Sequence, residues 1–142
     1  EALADVKMPI ETENGASVVL SGKVSSLSSE WKTCCIDAGG WTFETPMASL
    51  AMGSQVRLRV LARDVSIAVE KPDSISIRNR LQAEVEEIAA HLSEPAYQLV
   101  KLKCPNGEGR LVSRILRQSV TELGLHPGSQ VWALVKASAV IM

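Results

Sequence analysis

SIRNRLQAEVEEIAAHL, residues 76–92, supports two incompatible structures. Ile77, Leu81, Val85, Ile88 and Leu92 fall at helical spacing and would form one apolar stripe. Residues 80–86, RLQAEVE, instead alternate polar and apolar without a break, as a half-buried strand does. Working outward breaks the tie. LQAEV from Leu81 lines up with LSGKV from Leu20, 61 positions earlier, inside the Val- and Ser-rich segment ASVVLSGKVSS. That earlier copy reads as strand, so strand is expected here too.

The match belongs to an internal repeat. GSQV begins GSQVRLRVLARDVSI at Gly53 and GSQVWALVKASAVIM at Gly128, 75 positions apart and without a gap. The offset grows from 61 to 75, so the second copy is longer in its middle. Two units follow, 15–72 and 73–142, after an opening segment 1–14 with Pro9 and many charges that reads as a linker or tail. WKTCCID, GGWTF, VRLRVLA, VSIAV, YQLVKL, GRLVSRI and VWALVKA all read as strands. Turns are expected at residues 38–40, 105–107 and 126–128. One short helix is expected at SVTELG, with Ser119 and Glu122 as a capping box and Gly124 closing it. The fold class is therefore all-β: two small OB-type barrels in tandem, with a short helix in the second.

Composition excludes several functions. The chain has 142 residues, net charge −1, 46% hydrophobic residues and only 4% aromatics. A nucleic-acid surface needs a basic face and stacking rings, so none is expected. No apolar run reaches the roughly 18 residues of a membrane span, and no secretory leader is visible. The three cysteines, Cys34, Cys35 and Cys104, lack metal-ligand spacing, and His91 and His126 stand apart, so no metal site is expected. The thiols read as reduced, in a cytoplasmic protein. There is no GxxxxGK[ST] phosphate loop and no catalytic constellation, so no enzyme activity is expected of this chain.

Alternation sorts the last strand of each copy. In the second, Val131, Ala133, Val135 and Ala137 share one face, and Trp132, Leu134, Lys136 and Ser138 the other. In the first, Arg57, Arg59, Leu61 and Arg63 form a wet cationic face. Lys136 thus replaces Leu61 on a face that reads as partly covered. It either snorkels to water or meets an anion. Ser119 is either a helix N-cap or an anion donor, and Arg78 either a solvated arginine or an anion ligand.

SISIRNRLQAEV followed by SVTELGLHPGSQVWALVKAS resembles a molybdate-binding Mop (molbindin) domain. VRLRVLARDVSIAV is similar to the transport-associated OB segment of ABC-importer ATPases. In this order the two resemble the C-terminal regulatory region of a molybdate importer's ATP-binding subunit. The resemblance implies an oxyanion site between two chains, using Ser76, Arg78, Ser119, Lys136 and Ala137. Leu116 stands where the family's T-x-x-S threonine would be, and Ser17 where Arg78 would be in the first copy. It also implies a homodimer that binds molybdate or tungstate as a regulatory ligand, with no other cofactor. The same chain would carry a nucleotide-binding domain and would act on membrane permease subunits without entering the membrane itself. The alternative is a dimerisation or spacer module without ligand.

Overall fold

A computed structural model describes residues 16–47 and 49–142; the expected linker, 1–14, lies outside the described residues. The described chain is nearly all-β, as expected, with one short helix. The strands are β1 (Ser17–Ser28), β2 (Thr33–Ala38), β3 (Trp41–Pro46), β4 (Gln55–Leu61), β5 (Ser66–Ala68), β6 (Asn79–Ala90), β7 (Tyr97–Lys103), β8 (Arg110–Leu116) and β9 (Gln130–Val135), with helix α1 (Arg117–Glu122) before β9. They form two antiparallel sheets, ordered β3-β2-β1-β4 and β5-β9-β6-β7-β8.

The ambiguous stretch is β6, a strand. Its helical spacing has a cause. Asn79, Leu81, Ala83 and Val85 alternate into the core, and then the register against β7 shifts between Val85 and Glu87. This irregularity inserts one residue, so Ile88 returns to the core face three positions after Val85. A strand with one bulge thereby imitates a helical stripe. Leu92 lies beyond the strand and is exposed. β1 has the same irregularity between Val24 and Ser26, at the 61-residue offset. Both bulges are tied in the same way: Val24 N–H donates to Ser54 O and Val85 N–H to Ser129 O.

The two copies are interlocked. β5 precedes the expected boundary at 72/73 yet pairs with β9, Ser66 lying opposite Leu134. Ile141, at the end of the second copy, bridges back to Arg59 on β4. The 75-residue offset carries one pairing onto the other, as it carries the 3-10 turn at Ala62–Asp64 onto that at Ala137–Ala139. The chain therefore has a pseudo-two-fold axis. One core joins the sheets, with Ile36, Phe43 and Leu58 of the first packed with Leu102, Leu111 and Val131 of the second. Trp41 Nε1 on β3 donates to Gln82 O on β6 at 2.7 Å. The β2–β3 and β7–β8 turns meet backbone to backbone, with Gly109 N–H donating to Gly39 O at 2.8 Å. A Cβ on Gly39, whose φ is +65°, would stand 2.5 Å from Gly109 Cα, so the contact requires glycine.

Two local expectations are corrected. The helix begins at Arg117, and Leu116, still paired with Tyr97 as the last residue of β8, is its N-cap without a side-chain cap bond. The chain enters the helix straight from a strand, which leaves Ser119 inside it, its carbonyl accepting from Leu123. Glu122 instead accepts from Gln118 Nε2 at 3.0 Å. The C-terminal expectation holds: Gly124 (φ +66°) ends the helix, and Leu125 N–H returns to Val120 O. On β4, Arg57, Arg59 and the following Arg63 are exposed as expected, but Leu61 is buried, at the point where the 3-10 turn redirects the chain.

Candidate functional site

Two clefts flank the junction where the start of β6 meets the turn after β9. The larger, about 420 Å³, is lined by Trp31, Thr33 and Glu44 of the first copy and Arg78 and Ala137 of the second. The smaller, about 190 Å³, is lined by Arg63, Asp64, Ser66, Ile77, Leu134, Lys136 and Ala139. The split follows from extended backbone, in which neighbouring side chains point to opposite sides. Ile77 faces one cleft and Arg78 the other. Lys136 and Ala137 divide likewise.

The expected site residues are thus only partly brought together. Arg78 and Ala137 share the larger cleft, and Lys136, exposed, lines the smaller. Ser76 is exposed, and Ser119 is half-buried on α1, which packs against β7 and β8; neither is among the described residues lining a cleft. Trp132 and Leu134 are half-buried, and Lys71 Nζ lies 5.2 Å from the Trp132 ring centroid. Among the described residues no group of histidine, cysteine and carboxylate side chains could hold a metal ion. Cys34 and Cys104 are buried and Cys35 is half-buried, and none of the three is in a disulfide.

Glu44, in the lining of the larger cleft, is held by its backbone. Asn79, 2% exposed, clasps the backbone of Glu44: Glu44 N–H donates to Oδ1 at 2.7 Å, and Nδ2 donates to Glu44 O at 2.9 Å. Next to this clasp, Arg78 Nε donates to Glu44 Oε1 at 2.9 Å. The Arg78 side chain is 63% exposed, so its terminal nitrogens remain open to a ligand, while that of Glu44 is 21% exposed. Sequence reading missed Trp31, Thr33, Glu44 and Arg63. Each lies in the first copy, tens of residues from the motif it meets, and only the interlocking of the copies puts it there.

The comparisons with known proteins agree with this architecture. A family model, described as the TOBE domain, matches residues 75–142. That stretch is similar to a TOBE domain. The match falls on the copy that carries Arg78, Lys136 and Ala137, the one assigned above by its resemblance to molbindin. Around this match nearly the whole chain is similar to the molybdenum import ATP-binding protein ModC of Brucella abortus (strain 2308), 42% identical over 98% of this chain and 38% of that protein. The ModC of Methylococcus capsulatus is 32% identical over 99% of this chain and 39% of its own length. The chain spans about two fifths of the length of the curated relatives it matches. Among solved structures, the cytoplasmic molybdate-binding protein ModG, with molybdate bound, superposes with a TM-score of 0.73 at 28% identity, over 94% of this chain and 97% of its own. No helix among the described residues is long and apolar enough to cross a membrane.

Proposed function

We propose that this chain is the oxyanion-sensing portion of a molybdate or tungstate importer's ATP-binding subunit. It would hold the anion between two copies and modulate transport without itself catalysing a reaction. The observation that carries this reading is the likeness, over nearly the full length of both chains, to a protein with molybdate bound. The placement of the cations supports the site lying between copies. Arg78 and Lys136 point into opposite clefts of one chain and do not converge within it. A second copy that presented its Lys136 to Arg78 of the first would unite them. Ser76, Ser119 and the Ala137 backbone would then complete a set of hydrogen-bond donors.

Molybdate is a tetrahedral dianion. Two cations and several donors satisfy it, and because Arg78, Lys136 and the Ala137 N–H can only donate, they offer the O–H of hydrogen phosphate no partner. The tandem units 15–72 and 73–142 would serve as scaffold. The attached nucleotide-binding domain and the permease subunits, at the inner face of the cell membrane, would receive the signal. Calorimetric titration of the chain with sodium molybdate and with sodium phosphate tests this: saturable heat is expected with molybdate alone.

One observation favours the second reading, a dimerisation or spacer module without ligand. Leu116, 44% exposed, offers no hydroxyl where the resembling family has threonine. Absence of molybdate heat together with a stable dimer would select that reading.

A further inference from the structure

Arg78 already has an anionic partner, and that partner comes from the other copy. Glu44 stands on β3 of the first copy, and the Asn79 amide fixes its backbone one residue from Arg78. The carboxylate is therefore presented to the guanidinium by a rigid connection, which lowers the entropy cost of holding the pair. With the Glu44 side chain four-fifths buried, the ion pair is less screened than one between two open side chains.

Among the described residues, the pseudo-equivalent junction has neither the amide clasp nor the ion pair. There the 3-10 turn at Ala62–Asp64 packs on β8, and Ala16, Ala62, Leu99 and Val112 fill the space with Val18 against them. Val18 stands 61 positions before Asn79, in its place. One buried side-chain bond crosses there, Ser113 Oγ of β8 donating to Val65 O. Among the described residues, the amide clasp and the ion pair occur only on the side that carries the anion-ligand candidates.

We propose that Glu44 is an internal competitor for the oxyanion at Arg78, so that the first copy sets the affinity of a site whose motifs lie in the second. The proposal rests on the oxyanion reading above. An incoming dianion either displaces the carboxylate from Nε or binds the terminal guanidinium nitrogens beside a like charge. Either route weakens binding. The first also releases the link between β3 and Arg78, the residue before β6, and so reports occupancy from one copy to the other.

The test is titration of the full chain with sodium molybdate at low and high salt, as wild type, Glu44→Gln and Glu84→Gln. Glu84 is the control, because it faces Lys103 at 3.8 Å and lines neither cleft. Glu44→Gln is expected to tighten binding about three- to ten-fold at low salt and by less at high salt. Glu84→Gln is expected to leave it unchanged. If wild type binds and Glu44→Gln binds equally or more weakly, Glu44 positions Arg78 and the competitor is refuted while the oxyanion reading stands. Equal tightening by Glu84→Gln also refutes it, since net charge would then explain the effect. If no variant binds molybdate, the oxyanion reading fails and the competitor fails with it.

Discussion

Lys136 and Leu61 occupy the same place in the two copies and meet opposite surroundings. Leu61 is buried beside the first 3-10 turn, whereas Lys136 is exposed beside the second. One position therefore serves packing in one copy and carries a free-standing charge in the other. Lys136→Met keeps most of the stem and removes the charge. With a lost charge-assisted bond worth roughly 1.5–3 kcal/mol, molybdate affinity is expected to fall at least ten-fold. The thermal melt should barely move, because an exposed charge contributes little to folding. Leu61→Met should do the reverse: unchanged affinity, with stability lowered by less than about 1.5 kcal/mol. Titrations and melts on the two variants check both halves. The difference between the positions was legible in sequence, since a gapless repeat shows which residue of one copy replaces which residue of the other. That Leu61 is buried was not, because the 3-10 turn that shields it breaks the alternation.

At the scale of elements, β6 shows how a bulge misleads a periodic reading. Leu81, Val85 and Ile88 mimic a helix only because one inserted residue resets the pleat. The first copy resolved the ambiguity, since β1 carries the same bulge in a composition that no helix would favour. The helix start was misplaced for a related reason. Ser119 and Glu122 have capping-box spacing, but Leu116 is held in β8, and α1 begins as soon as the strand ends. Local signals do not report where the preceding strand stops. The meeting of the two glycine turns was hidden as well, for it joins Gly39 to Gly109, 70 positions apart. It makes a sharp prediction. A Cβ on Gly109 would lie 2.7 Å from Gly39 O, so Gly109→Ala must push the turns apart. A loss of about 1–3 kcal/mol from the clash is expected in chemical denaturation, whereas alanine at Gly53, where a Cβ meets open space, should cost only the about 1 kcal/mol of its positive φ, +80°.

At the scale of the molecule, the repeat announced two units, but the exchange between them was not visible in the sequence. β5 is only three residues long, and Ile141 contributes an isolated bridge. Such short pairings carry no periodicity of their own. They nonetheless bind each copy to the other's last strand across a common core. Residues 73–142 alone would lose β5 and expose the side of the core that Ile36, Phe43 and Leu58 cover. That fragment is expected to lack a cooperative thermal transition under conditions where the full chain melts in one step, as circular dichroism would show. Two separate transitions in the full chain would contradict the shared core.

The candidate site was legible as residue types and not as geometry. Arg78 and Lys136 were found by motif, but their division between two clefts depends on side-chain direction in the folded chain. That division makes the central claim testable by complementation. Arg78→Ala and Lys136→Met variants, each silent alone, are mixed and allowed to exchange subunits, and molybdate is titrated into the mixture. If Arg78 of one copy and Lys136 of its partner form the site, each mixed dimer carries one intact site. Random exchange makes half the dimers mixed, so about a quarter of the wild-type binding capacity should return. No recovery after verified exchange, in a protein whose wild type binds, would contradict a site shared between copies.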